Sequence, residues 1–430
     1  MIPKMLLPLL MSLAAFAQTL PAQDGTVHQA DVFPRPGEKF RMATYRVWLP
    51  PGVNTLKGVI VHQHGCGRNG LTAPDDVHWQ ALARKWDCAL MGTFYPTGDS
   101  CRDWCRPQNG SARAFAEGLD QLARRSGHPE LKSVPWVLWG HSGGAVWVCN
   151  MLNLYPERVV AVVARSGGDS LRNPKAAGVP VLYTYGARDF PEVLDFKPSV
   201  PPARAQGAPW SLAPDPSSGH DCRHSRLLTI PYLDACLAQR LPARTGQPLR
   251  PLDPGKAWLG DTLQGTVVPA AGVAGDPRHL GYLPDEATAR RWQEFIRTGT
   301  VTDTTPPPAP RGVRATVPGT GTVRLHWQAT ADLESGIKAF RIYQDGKPVG
   351  QLGGPTDSYA KGSFQYANYG DDPVPEPLYF HNASWRPTPL AFLLYGLVPG
   401  RKYTCQVTTV NHAGLESPKS KPVTLRLPAP

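Results

Sequence analysis

The sequence predicts two domains of different class: an α/β domain with a mostly parallel sheet covered by helices on both faces, then a smaller all-β sandwich. Three observations carry this. Strand-like and helix-like segments alternate through the N-terminal part. The run Thr304-Thr305-Pro306-Pro307-Pro308-Ala309-Pro310 breaks the chain where neither helix nor central strand can continue. Beyond it only short alternating segments remain, as in a sandwich.

Taken in order, residues 40–49 alternate as a strand and 58–61 form a short buried run. Residues 76–86 have helical character, and 89–94 are strand-like again. Over 112–125 the residues Phe115, Leu119 and Leu122 fall on one helical face. A strand at 134–139, a helix at 144–154, and strands at 159–164 and 179–185 complete a pattern that calls for a parallel sheet. Asp285 caps a last helix in which Ala289, Trp292, Phe295 and Ile296 recur at three- and four-residue spacing, and this helix is expected to pack back on the first domain. After the proline run, 323–327, 339–343 and 403–410 alternate, and Asp345-Gly346 marks a hairpin.

The domain boundaries expected are 1–17 for an export signal, 18–303 for the α/β domain, 304–311 for an extended linker and 312–430 for the sandwich. Lys4, the apolar stretch 5–16 and Ala15-Phe16-Ala17 have the pattern of a cleaved export signal, which implies a secreted or periplasmic protein. No stretch is long enough to span a bilayer, so no membrane association is expected. With 41% hydrophobic and 18% charged residues the chain is globular. The formal charge of +11 comes from scattered Lys and Arg, a pattern of solvated surface rather than of a nucleic-acid-binding face. Export permits disulfides. Seven cysteines (Cys66, Cys88, Cys101, Cys105, Cys149, Cys222 and Cys236) precede the proline run and Cys405 follows it, so at least one in the first part should be unpaired. No C-x-x-C pair occurs, which argues against a zinc ribbon or a redox motif.

The chemistry concentrates in Gly140-His141-Ser142-Gly143-Gly144, placed between a buried strand and a helix. A serine in that sharp turn presents its hydroxyl at the sheet's carboxyl edge, and the small neighbours let backbone and helix approach. Ser142 is the candidate nucleophile, and it needs a base held by an acid. Asp189 follows the strand 179–185 and is preferred as the acid over Asp195. His220, in the loop Ser217-Ser218-Gly219-His220, is preferred as the base over His224. His64-Gly65-Cys66-Gly67 follows the strand 58–61, so the Cys66 and Gly143 N–H groups are expected to form the oxyanion hole. The loop Cys101-Arg102-Asp103-Trp104-Cys105 offers Trp104 as a pocket wall or as a buried buttress, stiffened by a local bridge or by two separate ones. His62-x-His64 and His220-x-x-x-His224 have zinc-compatible spacing, but each histidine has a simpler place in the hydrolase scheme, so neither a metal nor a cofactor is expected.

These residues resemble the α/β-hydrolase superfamily, and 25–300 is similar to secreted bacterial serine esterases of the polyhydroxybutyrate depolymerase and feruloyl esterase kind. The resemblance implies an acyl-enzyme mechanism without cofactor. Cys66 departs from it, standing where many lipases have glycine, and no large lid insertion is evident. The C-terminal part resembles a fibronectin type III domain: Trp327 matches its buried tryptophan, and Leu397-x-Pro399-x-x-x-Tyr403 its tyrosine-corner strand. The long aromatic segment 353–392, with Tyr359, Phe364, Tyr366, Tyr369, Tyr379, Phe380 and Trp385, departs from that family and suits either packing or the binding of a polymer chain. The reading is a secreted ester hydrolase working on a small-molecule or polymeric ester. Its rivals are a peptidase on the same fold and an inactive binding or adhesion protein, the second disfavoured by the intact Ser, Asp and His set. The sequence leaves the oligomeric state open.

Overall fold

Continuous apolar runs dictate the first domain. In the computed structural model, which describes residues 25–96, 102–273, 276–353, 364–365 and 388–429, the strands β1 (Thr26–Val32), β2 (Ala43–Leu49), β3 (Gly58–Gln63), β4 (Cys88–Phe94), β5 (Trp136–His141), β6 (Val159–Arg165), β7 (Val181–Gly186) and β8 (Trp210–Asp215) form one sheet in the order β1-β2-β4-β3-β5-β6-β7-β8. Every residue of β3, β5, β6 and β7 is buried, as strands covered on both faces must be. β1 pairs with β2, and β2 with β4, antiparallel; the other pairings are parallel.

Helices α1 (Val77–Lys85), α2 (Ser111–Ser126), α3 (Gly143–Leu154), α4 (Val200–Ala205), α5 (Arg226–Arg240) and α6 (Glu286–Thr298) complete the layers. On one face Phe115 and Leu119 of α2 pack with Trp147 and Met151 of α3. On the other, Trp79 of α1 joins Leu228 and Leu233 of α5 and Trp292 and Phe295 of α6. The Asp285 carboxylate accepts the Thr288 N–H at 2.8 Å, and Trp292 Nε1 donates to the Leu212 carbonyl at 2.8 Å, so the last helix folds back as expected. A small sheet of β9 (Trp258–Asp261), β10 (Thr266–Pro269) and β11 (Leu280–Leu283) lies beside it. From β3 the chain goes to β4 on one side and later to β5 on the other, and this reversal opens a crevice at their carboxyl ends.

The C-terminal domain is a sandwich of two antiparallel sheets, β12 (Arg311–Gly319), β13 (Thr322–Gln328) and β16 (Ala391–Leu394) against β14 (Ala339–Gln344), β15 (Lys347–Gly353), β17 (Lys402–Val410) and β18 (Val423–Arg426). Asp345 and Gly346 have φ of 48° and 81°, as the tight hairpin between β14 and β15 demands. The Tyr403 hydroxyl accepts the Val398 N–H at 2.8 Å, which makes the expected corner. The export-signal segment, Tyr359, Tyr366, Tyr369, Tyr379, Phe380 and Trp385 lie outside the described residues. Phe364 is buried and packs edge-on against Phe340 at 5.0 Å.

The proline run does not hold the domains apart. Asp303, just before it, is buried and accepts from the Ser335 hydroxyl at 2.5 Å and from Asn411 Nδ2 at 2.8 Å. Val77 and Ala81 of α1 share one core cluster with Trp327, Phe340 and Phe364, and the Val77 N–H donates to the Phe364 carbonyl at 3.1 Å. Arg291 pairs with Glu334 across the same seam at 3.3 Å. A chain ended at Asp303 is therefore expected to melt several degrees lower than the full chain, since uncovering the Val77 side chain alone costs about 1.5–3 kcal/mol. An unchanged melting temperature would show that the shared core contributes nothing to the first domain.

Candidate active site

Ser142 follows β5 and turns the chain straight into α3. It holds φ 55° and ψ −124°, a conformation that costs a non-glycine residue about 1–3 kcal/mol. The surroundings compensate. A Cβ on Gly144 would sit 2.0 Å from the Gln63 carbonyl oxygen, so only glycine lets α3 approach β3 this closely. The Ser142 N–H donates to the Arg165 carbonyl at 2.8 Å, which ties the turn to β6.

The turn after β3 passes directly beside this serine. A Cβ on Gly65 would lie 2.8 Å from Ser142 Cβ and 3.3 Å from its Oγ. Cys66, next in the chain, is exposed and disulfide-bonded. Its thiol is thereby unavailable as a nucleophile, and the turn has main-chain N–H groups to offer. Gly143 opens α3, where the first N–H groups of a helix lack intrahelical partners.

Asp189 follows β7 and His220 follows β8. Their loops are stitched together by the Ala187 N–H to the Asp215 carbonyl at 2.8 Å and by the Arg188 N–H to the Ser218 carbonyl at 3.1 Å. His220 Nδ1 then lies 2.8 Å from Asp189 Oδ1, with the carboxylate side chain fully buried and the imidazole 24% exposed. Burial pushes the Asp189 carboxyl up, but the His220 ring and the adjacent Ser166 hydroxyl outweigh it and hold the group below the ordinary aspartate value. An ionised Asp189 accepts from Nδ1–H and leaves Nε2 as the proton acceptor. The His220 ring sits 4.9 Å from that of His141, the residue before Ser142, and 5.7 Å from that of Phe190. The structure thus gathers Ser142, Asp189 and His220 at one edge of the sheet.

The alternatives fall elsewhere. Asp195 is exposed. His224 lies before α5 begins at Arg226, just after Arg223 with φ 39°, so the segment is not the helix that the zinc-like spacing requires. It lines a cavity of about 450 Å³ together with Arg226, Lys338 and His412. The His62 ring stacks on Trp139 at 4.6 Å and meets Trp79 edge-on at 4.1 Å, while His64 lies 5.2 Å from Trp139. Among the described residues, no group of three or more His, Cys, Asp or Glu side chains is placed to hold a metal ion.

Two expectations need correction. Trp104 is not a pocket wall: it is only 3% exposed and stacks on Tyr95 at 5.1 Å, because a large ring beside α2 gains more from core burial than from solvent. The loop is not stiffened through Cys105 either, since that thiol is free and buried. Cys88, Cys149, Cys236 and Cys405 are free and buried too. The sequence reading missed Phe190, 61% exposed and next in the chain to Asp189, and the buried Arg165 and Ser166; its only available signal was their position at strand ends.

Residues 308–426 match the profile of the fibronectin type III domain family. The C-terminal domain is a fibronectin type III domain. A search of curated proteins finds no match to the chain. Among solved structures, a poly(3-hydroxybutyrate) depolymerase from Bordetella parapertussis is similar at 17% identity, covering 46% of this chain and 85% of that one with a TM-score of 0.36. A poly(aspartic acid) hydrolase from Sphingomonas sp. KT-1 is similar at 16% identity, covering 46% and 94% with a TM-score of 0.33. A thermostable esterase is similar at 15% identity, covering 44% and 54% with a TM-score of 0.34. Among the described residues, no helix is long and apolar enough to cross a membrane.

Burial holds the His62, His64 and His141 rings neutral, His64 down to about 3. The unfolded chain takes up these protons near pH 6.5 and the folded chain does not. Stability should accordingly be complete above about pH 6.5 and decline as the pH falls toward 3. Urea unfolding midpoints measured between neutral and acid pH should drop steadily, and His62→Phe should flatten that slope; a midpoint independent of pH would contradict the assignment. For the acid, Asp189→Asn should reduce turnover by about 10⁴-fold while Asp195→Asn leaves it within about two-fold, as steady-state kinetics would read.

Proposed function

We propose that this chain is an exported serine hydrolase of carboxylic esters. The observation that carries the reading is the strained Ser142 at a strand–turn–helix junction with the bonded Asp189–His220 pair alongside it. Ser142 Oγ attacks the ester carbonyl while His220 Nε2 takes its proton. The N–H groups of Gly143 and Cys66 hold the oxyanion, and the alcohol leaves with the proton returned by His220. Water, deprotonated by the same ring, then attacks the acyl-enzyme to release the acid and restore Ser142. No cofactor takes part in this scheme.

Phe190 supports an ester with an apolar group, since its exposed ring borders the proton-carrying imidazole. The pattern at 1–17 supports export. Whether the ester is soluble or polymeric is an outcome of the same assay: short aryl esters, feruloylated or acetylated sugars, polyesters and peptides are offered in parallel.

Ser142→Ala should abolish ester hydrolysis, on the order of a million-fold in turnover, with the melting temperature preserved. A serine-directed phosphonate should label Ser142 in the parent chain and not in the variant. Hydrolysis that survives the substitution, or label at another residue, would refute the mechanism. Preferential cleavage of the peptides would move the chain to the peptidases.

A further inference from the structure

The loop that carries His220 is tied at its start to the Asp189 loop, while its glycine next to the histidine packs loosely. Gly219 precedes the histidine, and a Cβ there would meet nothing closer than the Arg188 carbonyl oxygen at 3.4 Å, an ordinary contact. The base of a proton relay must nevertheless stay within a fraction of an ångström of its partners, because proton transfer falls off steeply once hydrogen-bond geometry is lost.

Beneath the loop lies Arg165, the last residue of β6, with no exposed surface. Its guanidinium reaches both sides of His220. Nε donates to the Asp221 carbonyl at 2.9 Å and Nη2 to the same oxygen at 2.5 Å, immediately after the histidine. Nη2 also donates to the Ser218 hydroxyl at 2.5 Å, two residues before it. The Asp215 carboxylate, equally buried, lies 3.5 Å from Nη2, and its other oxygen accepts the Ser217 N–H at 2.9 Å and the Ser217 hydroxyl at 2.7 Å. The Arg165 main-chain carbonyl accepts the Ser142 N–H at 2.8 Å. One residue therefore fixes the nucleophile's turn with its backbone and the base's loop with its side chain.

We propose that Arg165 is the positioning residue of the relay: its planar fork sets the height and rotation of the His220 loop relative to Ser142, without touching substrate. The proposal rests on the serine-hydrolase reading above. Lysine keeps the charge but has a single nitrogen on a flexible stem, so it loses the second, Nε bond to the Asp221 carbonyl and the planar fork that fixes where Nη2 meets Ser218 and Asp221.

The test uses the full chain with Arg165→Lys, which retains a cation near Asp215, and Ser218→Ala, which removes only the hydroxyl bond. Arg165→Lys should lower kcat on a soluble ester by about 10- to 100-fold with KM within about three-fold, and slow phosphonate labelling of Ser142 by the same factor. The acid limb of the kcat/KM profile should shift with it. Ser218→Ala should show the same pattern at smaller amplitude and with the parent's melting temperature. Hydrogen exchange should quicken at 217–222 in both variants and stay unchanged in the strands. Parent-like kcat, labelling rate and pH profile in a folded Arg165→Lys would overturn the proposal, as would a loss that merely follows the folded fraction. Ester hydrolysis and Ser142 labelling absent from the parent chain would instead strike the functional reading, while the exchange at 217–222 would still decide whether Arg165 holds the loop.

Discussion

A non-glycine residue at φ 55° persists only where its surroundings leave it no alternative, and at Ser142 those surroundings are the ends of three strands. The Gln63 carbonyl at the end of β3 presses on Gly144, the Arg165 carbonyl at the end of β6 accepts the serine N–H, and β5 supplies the rigid approach. Each strand can do this only because it is buried on both faces and locked in a parallel register. The core packing of α2 and α3 on one side and of α1, α5 and α6 on the other is thus the indirect support of one backbone torsion. The site is at the carboxyl edge because that is where the strand order reverses and where helix N-termini converge.

Much of this was legible in the sequence, for identifiable reasons. The elbow at 140–144 announces itself because strain demands glycines at set positions and a strand and a helix on either side. Asp189 was preferred over Asp195 for its nearness to a strand end and His220 over His224 for its place in a loop rather than on a helix, and a 2.8 Å contact joins the preferred pair. What the sequence hid was long-range. β8 contains Pro214, which looks wrong for a strand but is tolerated at the sheet edge. Trp104 drew a functional reading from its flanking cysteines, whereas only the fold reveals the Tyr95 ring that covers it. The proline run looked like a spacer because composition reports stiffness and says nothing of the buried bonds made by Asp303 beside it.

The fibronectin type III domain is joined to the two segments that feed the site. α1 follows the turn beside Ser142, and its outer face, Val77 and Ala81, enters the core of the sandwich. The Asp76 carboxylate caps α1 through the His78 and Trp79 N–H groups and pairs at 3.1 Å with Arg226, which begins α5 shortly after His220. A charge pair with both side chains buried loses far more when one partner is removed than it contributes when intact. The joint is therefore fastened at a point where loosening would reach the Gly65 turn and the His220 loop together.

Five buried free thiols among the described residues have a consequence for the birth of the protein rather than for its activity. In the finished fold they are inert: burial pushes Cys105 and Cys405 up to about 11 and Cys149 and Cys236 to about 12, so almost no thiolate exists to meet an oxidant. Under the export proposed above, a chain threaded unfolded into an oxidising compartment has no such shelter, and Cys66 must then find its one correct partner among many available sulfurs. Maturation becomes a race in which the core has to close before wrong crosslinks form. The yield of active protein is then set by the speed of collapse and by the local isomerases, and a slow-folding variant would be lost as scrambled polymer even if its final structure were sound.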